Sequence, residues 1–299
     1  MKRLRYLLEA AAFAVLLGLS RVIPRSWIRK MGRGLGALAR RLNSRHRTIA
    51  LTNLQTAMPH LSDDEALEIT HNCWKHFGEI LLDTLSVRRL GPDSVGTEVH
   101  YEGLEHVQNA YGSGRGVLLF SGHFGHWELI ALMQGHLGLP LSIVARPLDN
   151  PYLEKMLTAL RGSSGNILIY KRHAVRAMVK SLRNSIGAAL LIDQDAREEG
   201  VFVPFFGRPA STTPTLARLA LRTGAMIIPM YSVPRPDGSW TIIYEPPVEV
   251  DPEADRIAET HRVTALCTAK LEGWIRQRPE LWLWMHRRWK SVEGQERID

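Results

Sequence analysis

The chain has 299 residues, of which 45% are hydrophobic and 23% charged, so it can bury a large core and is neither disordered nor fibrous. Its two cysteines, Cys73 and Cys267, lie far apart, which excludes a disulfide framework and a zinc-binding spacing. The net charge of +8 arises in residues 1–50, where twelve basic side chains face one acid. A basic N-terminal arm beside apolar sequence indicates an anionic membrane surface as partner rather than nucleic acid, for which basic residues would line a groove.

The N-terminal arm contains an apolar run between basic clusters. Residues 7–23 are apolar except for Glu9, Ser20 and Arg21, and the uninterrupted stretch from Ala10 to Leu19 has ten residues. Crossing a bilayer takes roughly 20 residues. The preceding basic residues resemble those of a cleaved secretory signal, whereas the positive charges that follow resist translocation and favour an uncleaved, membrane-associating helix. The pattern is compatible with a helix that spans the membrane and with one that lies in its interface.

The next stretch predicts a basic amphipathic helix. At 100° per residue, five apolar side chains fall within an arc of about 80°: Trp27, Met31, Leu35, Leu38 and Leu42. A separate sector is basic and consists of Arg29, Lys30, Arg33, Arg40 and Arg41. The apolar stripe faces either the membrane or the body of the protein, and both arrangements are possible if the helix has one flank on each. Residues 1–50 are therefore predicted to form a basic membrane-associating helical segment, and residues 51–299 a separate domain.

Beyond residue 110, predicted strands alternate with predicted helices. Short apolar runs predict strands at 116–120, 141–145, 167–170, 188–192, 226–233 and 240–244. Helical patterns cover 151–161, 174–183 and 253–278, and another helix is expected to begin with Thr213 as N-cap and Pro214 as first residue. This order predicts an α/β fold with a largely parallel central sheet flanked by helices.

The first of these strands ends in Ser121-Gly122-His123-Phe124-Gly125-His126-Trp127-Glu128. Ligands of such folds bind where strands end and helices begin. His123 is expected in the turn and Glu128 in the first helical turn, where a carboxylate can orient the imidazole and stabilise its charged form. The arrangement suits activation of a hydroxyl carried by the substrate, because no nucleophile-elbow Ser or Cys accompanies it.

Other interpretations of this string are possible. A single histidine is more often a packed or surface residue than a catalyst, and His123 and His126 together could ligate a metal. The string lacks the H-E-x-x-H geometry and no third ligand stands out, so we predict no metal site. The glycines at 112–116 precede their strand, whereas those of a dinucleotide-binding fingerprint follow one.

His123 and Glu128 form the H-x4-D/E signature of glycerolipid-type acyltransferases, and the string around them resembles the late acyltransferases of lipid A biosynthesis. The likeness extends from about residue 1 to residue 290. It includes the block from Arg146 to Pro151 with Arg161, the Asp193-Gln194-Asp195 block, the Val203-to-Gly207 block and the ending from Pro279 to Lys290. One departure is His126, where many relatives carry Asn.

The resemblance implies that residues 51–299 form an acyltransferase domain, which transfers a fatty acyl group from acyl carrier protein, or from acyl-CoA, to a hydroxyl of a membrane glycolipid such as a lipid A precursor. His123 is then the general base and Glu128 its support, and no cofactor beyond the thioester co-substrate is needed. Because acyl carrier protein is acidic and cytosolic, the resemblance also implies the cytoplasmic face of the inner membrane.

Six further residues are candidates for substrate binding. Arg146 and Arg161 offer guanidinium groups to phosphates or to the acyl carrier, although each could instead pair with a surface carboxylate. Asp193, Gln194 and Asp195 follow a predicted strand, where the two aspartates could contact acceptor hydroxyls or cap the following loop. Asn150 belongs to the block that contains Arg146. A phosphatidylinositol mannoside acyltransferase and a thioesterase or other hydrolase are alternative functions.

Overall fold

The computed structural model describes residues 2–170 and 174–295. Nine strands lie in this part of the chain: β1 Val99–Glu102, β2 Val117–Ser121, β3 Leu141–Ala145, β4 Ile167–Tyr170, β5 Gly187–Leu191, β6 Val201–Phe205, β7 Arg208–Thr212, β8 Met226–Pro234 and β9 Trp240–Tyr244. The α-helices of the same part are α1 Lys2–Leu19, α2 Arg25–Leu42, α3 Ser44–Ala57, α4 Asp63–Ser86, α5 Leu104–Gly112, α6 Trp127–His136, α7 Pro151–Arg161, α8 Ala174–Arg183, α9 Thr215–Thr223, α10 Arg256–Gln277 and α11 Lys290–Gln295.

Seven strands form one sheet in the order β1-β9-β8-β2-β5-β3-β4. All neighbouring pairs in it are parallel except β8 and β9. The prediction of an α/β fold with a largely parallel sheet flanked by helices is confirmed. Strand β2 lies in the middle, between β8 and β5, so the turn that follows β2 is at the centre of the sheet's carboxyl edge.

The sheet is covered on both faces, as a parallel sheet requires. Along β2, Leu118 and Phe120 belong to one hydrophobic cluster, whereas Val117 and Leu119 belong to the other. All four side chains are at most 2% exposed. This alternation explains why the strand reads as a continuous apolar run, and it makes β2 a rigid support for the residues that follow it.

Some elements differ from the sequence prediction. The β6–β7 hairpin and β1 were not predicted, and their polar and proline residues give little periodicity. Helix α9 begins at Thr215, because Pro214 lies just outside it and Thr213 Oγ1 accepts from the Thr215 amide at 3.4 Å. Helix α10 begins at Arg256, since the Asp255 side chain caps it.

The N-terminal helices lie on the outside of the protein. Helix α1 has no buried residue. No helix in the described ranges is both long and apolar enough to cross a membrane. Helix α3 runs from Ser44 to Ala57 and thus passes through the predicted boundary between residues 50 and 51.

Helix α2 presents three distinct sides. Its buried side consists of Arg25, Ile28, Gly32 and Gly36 and packs against α4. The contact is so close that a Cβ on Gly36 would lie 2.0 Å from the Trp74 carbonyl oxygen. The predicted apolar stripe lies on another side and is exposed, with accessible fractions between 42% at Leu35 and 78% at Leu42. Of the two alternatives for the stripe, packing against the body of the protein does not occur, because the side with the glycines makes that contact.

Candidate active site

His123 and Asp193 meet because their strands are neighbours. Strands β2 and β5 pair in parallel with Ser121 opposite Leu191, and His123 and Asp193 each follow two residues later. His123 Nδ1 lies 2.8 Å from Asp193 Oδ1. The backbone amide of His123 donates to Asp193 Oδ2 at 2.6 Å. One carboxylate therefore fixes both the ring and the backbone of His123.

Asp193 is buried, and both oxygens of its carboxylate accept hydrogen bonds from the protein. Its side chain is 2% exposed, and the indole Nε1 of Trp282 donates to Oδ2 at 2.8 Å. Burial would raise the pKa of Asp193, but the charge of and hydrogen bonds from His123, together with the Trp282 bond, lower it to about 2. Asp193 is therefore an ionised acceptor. At 2% exposure and with protein partners on both carboxylate oxygens, Asp193 gives no support in its geometry to the predicted contact with the acceptor's hydroxyls.

The His123 ring is oriented for proton transfer. An ionised carboxylate only accepts, so Nδ1 of the neutral ring carries the hydrogen and Nε2 carries the lone pair. The side chain is 20% exposed, and its ring meets Trp127 edge-on at 5.3 Å. Burial would lower the pKa of His123, but the charge and hydrogen bond of Asp193 and the charge of Glu128 raise it above its usual value. The geometry gives His123 the form that a general base needs.

Glu128 has a different partner from the one expected. Its Oε2 accepts from Arg161 Nε at 3.0 Å, and its Oε1 accepts from Arg161 Nη2. Helix α6 directs Glu128 toward α7, and His123 Nδ1 donates to Asp193 instead of to Glu128 as expected. Glu128 acts on His123 through its charge alone. Arg161, expected at a phosphate or the acyl carrier, pairs with a carboxylate at the edge of the site.

The last residues of the chain complete the turn that holds His123. The Leu283 amide donates to the His123 carbonyl at 3.1 Å, and the Gly125 amide donates to the Leu281 carbonyl at 3.1 Å. Gly125 has φ of 59°, and a Cβ there would lie 2.0 Å from the Ser232 carbonyl oxygen, so only glycine fits. Four tryptophans in or just before this ending are buried and pack in the interior: Trp274, Trp282, Trp284 and Trp289. Trp282 also makes the bond to Asp193.

The remaining predicted site residues lie around this edge. Arg146 and Gln194 are exposed. Asp195 accepts from Ser291 Oγ at 2.8 Å and from the Arg197 amide at 3.4 Å, which agrees with the loop-capping alternative.

Asn150 is occupied by protein contacts on both sides of its amide. Its Oδ1 caps α7, and its Nδ2 donates to the Tyr6 carbonyl and to Glu9 Oε2, both at 2.9 Å. The side chain therefore fastens α1 to α7. A substrate could reach the amide only by displacing these contacts, so the expected role of Asn150 in binding substrate has no support in the geometry.

Sequence reasoning placed both His123 and Asp193 after strands but did not pair them. The pairing depends on the order of strands in the sheet, which spacing along the chain does not reveal. The sequence contains one indication that the two residues are close. Both follow short apolar runs that predict parallel strands, and the carboxyl ends of parallel strands lie at the same edge of the sheet.

Known proteins resemble this chain over most of its length. The model of the family described as bacterial lipid A biosynthesis acyltransferase matches residues 1–291. A lipid A biosynthesis lauroyltransferase of Escherichia coli K12 is 30% identical over 272 residues, which cover 90% of this chain and 87% of that protein. A palmitoleoyltransferase of the same pathway and organism is 29% identical over 265 residues, covering 87% and 84%. The chain belongs to the bacterial lipid A biosynthesis acyltransferase family, and it is an acyltransferase.

Proposed function

We propose that this protein transfers a fatty acyl chain from acyl carrier protein to a hydroxyl group of a lipid A precursor, with His123 as general base. The observation that supports the proposal best is the His123–Asp193 pair at the carboxyl edge of the sheet. Its Nδ1 side is bound to a buried carboxylate, which leaves Nε2 for the acceptor hydroxyl. The names of the relatives supply the substrate class.

In the proposed reaction, Nε2 of His123 takes the hydroxyl proton while the oxygen attacks the thioester carbonyl. The charges of Asp193 and Glu128 stabilise the imidazolium. When the tetrahedral intermediate collapses, the C–S bond breaks and the imidazolium returns the proton to the departing thiolate. Backbone N–H groups at the start of α6 are candidate donors to the oxyanion. The transfer yields an ester and a free thiol and needs neither a cofactor nor a covalent acyl-enzyme.

Donor and acceptor would approach the same edge of the sheet. Arg146 is exposed directly after β3, two strands from β2, and its guanidinium suits a phosphate of the lipid or an acidic residue of the carrier. Gln194 is exposed after β5 and is a candidate for contact with the acceptor. Both side chains therefore stay available for substrate, unlike Asn150 and Asp193.

Purified protein is expected to move acyl chains from acyl carrier protein to a lipid A precursor, because Nε2 of His123 is free to activate an acceptor hydroxyl. The assay presents C12, C14 and C16 acyl thioesters of both acyl carrier protein and coenzyme A, and mass spectrometry weighs the lipid product.

Release of free fatty acid without a lipid product would identify a thioesterase instead. Acylation of phosphatidylinositol mannoside but not of lipid A precursor would favour the other glycolipid. Transfer from coenzyme A alone would contradict the proposed donor.

The proposed location is the cytoplasmic face of the inner membrane, with α1 and α2 against the anionic leaflet. The apolar stripe of α2 is accessible to solvent, since Trp27 is 65% and Met31 53% exposed. The basic residues Lys30, Arg33 and Arg41 are exposed beside the stripe. Apolar side chains beside basic ones on an exposed helix favour binding to an anionic interface.

We expect Leu35→Glu to lower partitioning of the protein onto vesicles that contain phosphatidylglycerol by about tenfold or more, because a leucine on the lipid-facing side is replaced by a charge that anionic lipid repels. Sedimentation with vesicles measures the partitioning. Leu67→Glu is the matched control, since Leu67 is 43% exposed on α4 and Leu35 is 42% exposed on α2. Equal losses in the two variants, or none in Leu35→Glu, would contradict the proposed membrane contact.

A further inference from the structure

We propose that Arg25 and Asp83 are positioning residues, which hold His126 in its neutral form and thereby tie the catalytic turn to the amphipathic helix α2. The inference rests on the proposed function, because it concerns the turn that carries His123 and Glu128. Neither residue touches the His123 ring. Their effect is transmitted through a buried polar cluster that consists of Arg25, Asp83, Ser86 and His126.

Arg25 enters this cluster from the first residue of α2. Its Nη2 lies 2.6 Å from Asp83 Oδ2, and its Nε donates to Asp83 Oδ1 at 3.2 Å. Ser86 Oγ donates to Asp83 Oδ1 at 2.6 Å. Asp83 and Arg25 are 0% and 6% exposed. A charge pair buried to this extent is costly to break, because removal of one partner leaves the other charge unpaired in the interior.

His126 connects this cluster to the catalytic turn. The residue is 0% exposed, and its Nδ1 accepts from the Leu129 amide at 3.3 Å, so the ring caps the helix that carries Glu128. Its backbone amide donates to Ser232 Oγ at 2.8 Å. Since Nδ1 accepts, the ring hydrogen is on Nε2, which lies 3.4 Å from Asp83 Oδ2 with no better-aligned partner in the described part of the chain.

The charge of Arg25 decides which form of His126 is stable. With Arg25 in place, a cation pairs directly with the Asp83 carboxylate, and Nδ1 of His126 keeps the lone pair that accepts from the Leu129 amide. Without Arg25, Asp83 becomes an unpaired buried anion beside an imidazole, and we expect the imidazole to bind the compensating proton, because it is the more basic of the two groups. An imidazolium carries a hydrogen on both nitrogens. Its Nδ1 could then no longer accept from Leu129, so the cap of α6 would be lost.

The other charged groups around His126 do not take over this role. His76, also on α4, is a neighbour of His126, but burial lowers its pKa to about 3, so it stays neutral. Glu98, which precedes β1, accepts from Arg25 Nη1 and adds negative charge. The remaining contacts of the ring and the His126 amide, Trp240 and Ser232, carry no charge. Arg25 is therefore the cation that balances Asp83.

The test uses full-length protein in the acyl-transfer assay, with purified wild type measured first. Arg25→Met is expected to lower kcat by about tenfold to 100-fold with little change in either KM, because the turn is displaced while the substrate-binding surface is intact. Activity should recover as pH rises, when His126 loses the added proton. Arg276→Met is the control: Arg276 on α10 pairs with Glu272, at 2.6 Å, away from the catalytic turn and from α2, and the variant should leave kcat unchanged.

Two further variants separate this effect from a loss of folding. Arg25→Met with Asp83→Asn removes both charges and should restore kcat to within about threefold of wild type, because a buried pair is costly when only one member is lost. Arg25→Met with His126→Asn lacks the titrating ring and should lack the added pH dependence. In ¹⁵N-histidine spectra, His126 of Arg25→Met should show the imidazolium form near neutral pH.

The imidazolium readout does not depend on turnover, so it separates failure of this inference from failure of the proposed function. A neutral His126 ring in Arg25→Met would overturn the inference even if wild type transfers acyl chains. Wild-type kcat in Arg25→Met, or a double variant no more active than the single one, would overturn it as well.

Discussion

Replacement of His123 by alanine is expected to reduce kcat for acyl transfer by about 10²- to 10⁴-fold, because the variant loses the proposed general base. KM for the acyl thioester should change little, since the ring is placed to act on the acceptor. Added imidazole should restore part of the rate by entering the space that the side chain leaves beside Asp193. Initial rates of lipid product at saturating substrate give the measurement.

His60→Ala is the control, because His60 is an exposed histidine outside the site. The variant should have wild-type kcat. Full turnover by His123→Ala, with thermal unfolding unchanged, would remove the proposed base. A protein that no longer folds would instead lose its cooperative transition in circular dichroism, and His123→Gln would then repeat the test with a polar side chain.

Asp193→Asn is expected to reduce kcat by a similar factor, about 10²- to 10⁴-fold, although the change in volume is small. The asparagine NH₂ group would face Nδ1 of His123, which then has to accept rather than donate. The hydrogen moves to Nε2, and the lone pair needed for proton abstraction is lost. The variant therefore keeps the position of the ring and changes its tautomer.

Asp193→Asn is also expected to change how activity depends on pH. A general base works when neutral, so activity falls as pH drops through the pKa of His123. In the wild type that pKa is raised, by the Asp193 charge and hydrogen bond and by Glu128, against the lowering effect of burial. Asparagine removes the largest of the raising effects and leaves the burial, so the acid limb should move to lower pH. An unchanged kcat and an unmoved acid limb would contradict the pairing.

Glu128→Gln provides the comparison between the two carboxylates. It should also lower kcat, because it removes a charge that stabilises the imidazolium and leaves Arg161 without its partner. The tautomer of His123 should stay as in wild type, since Asp193 still accepts from Nδ1. Histidine ¹⁵N shifts distinguish the two variants, so the orienting carboxylate and the charge-balancing carboxylate can be assigned separately.

The sequence was sufficient to predict most of the sheet. Strands such as Leu141–Ala145 and Ile167–Tyr170 are short apolar runs between turns, and they occur where predicted. The β6–β7 hairpin was missed because it contains Pro204 and Pro209, which oppose each other in the pair and lack the usual strand composition. Local propensity thus identifies the buried strands better than the hairpin outside the main sheet.

The site was predictable only in part, because its contacts join distant segments. The string around His123 identified the turn, and Glu128 was the natural partner by distance along the chain. The order of strands brings Asp193 to His123 instead, across 70 residues of sequence. Arg161 pairs with Glu128 for the same reason, since helices α6 and α7 lie side by side. The exposure of the α2 stripe also follows from packing, as glycines on its other side approach α4.

The bonds from Leu283 to the His123 carbonyl and from Trp282 to Asp193 also have a consequence for synthesis. A nascent chain exposes its basic, apolar first helices early, when the tryptophan-rich end is still inside the ribosome. Until that end emerges, neither the bond from Leu283 to the His123 carbonyl nor the bond from Trp282 to Asp193 can form. The contact that we propose between these helices and the lipid surface can therefore form before the site is complete. A chain that ends before residue 282 would keep the helices and lack both bonds.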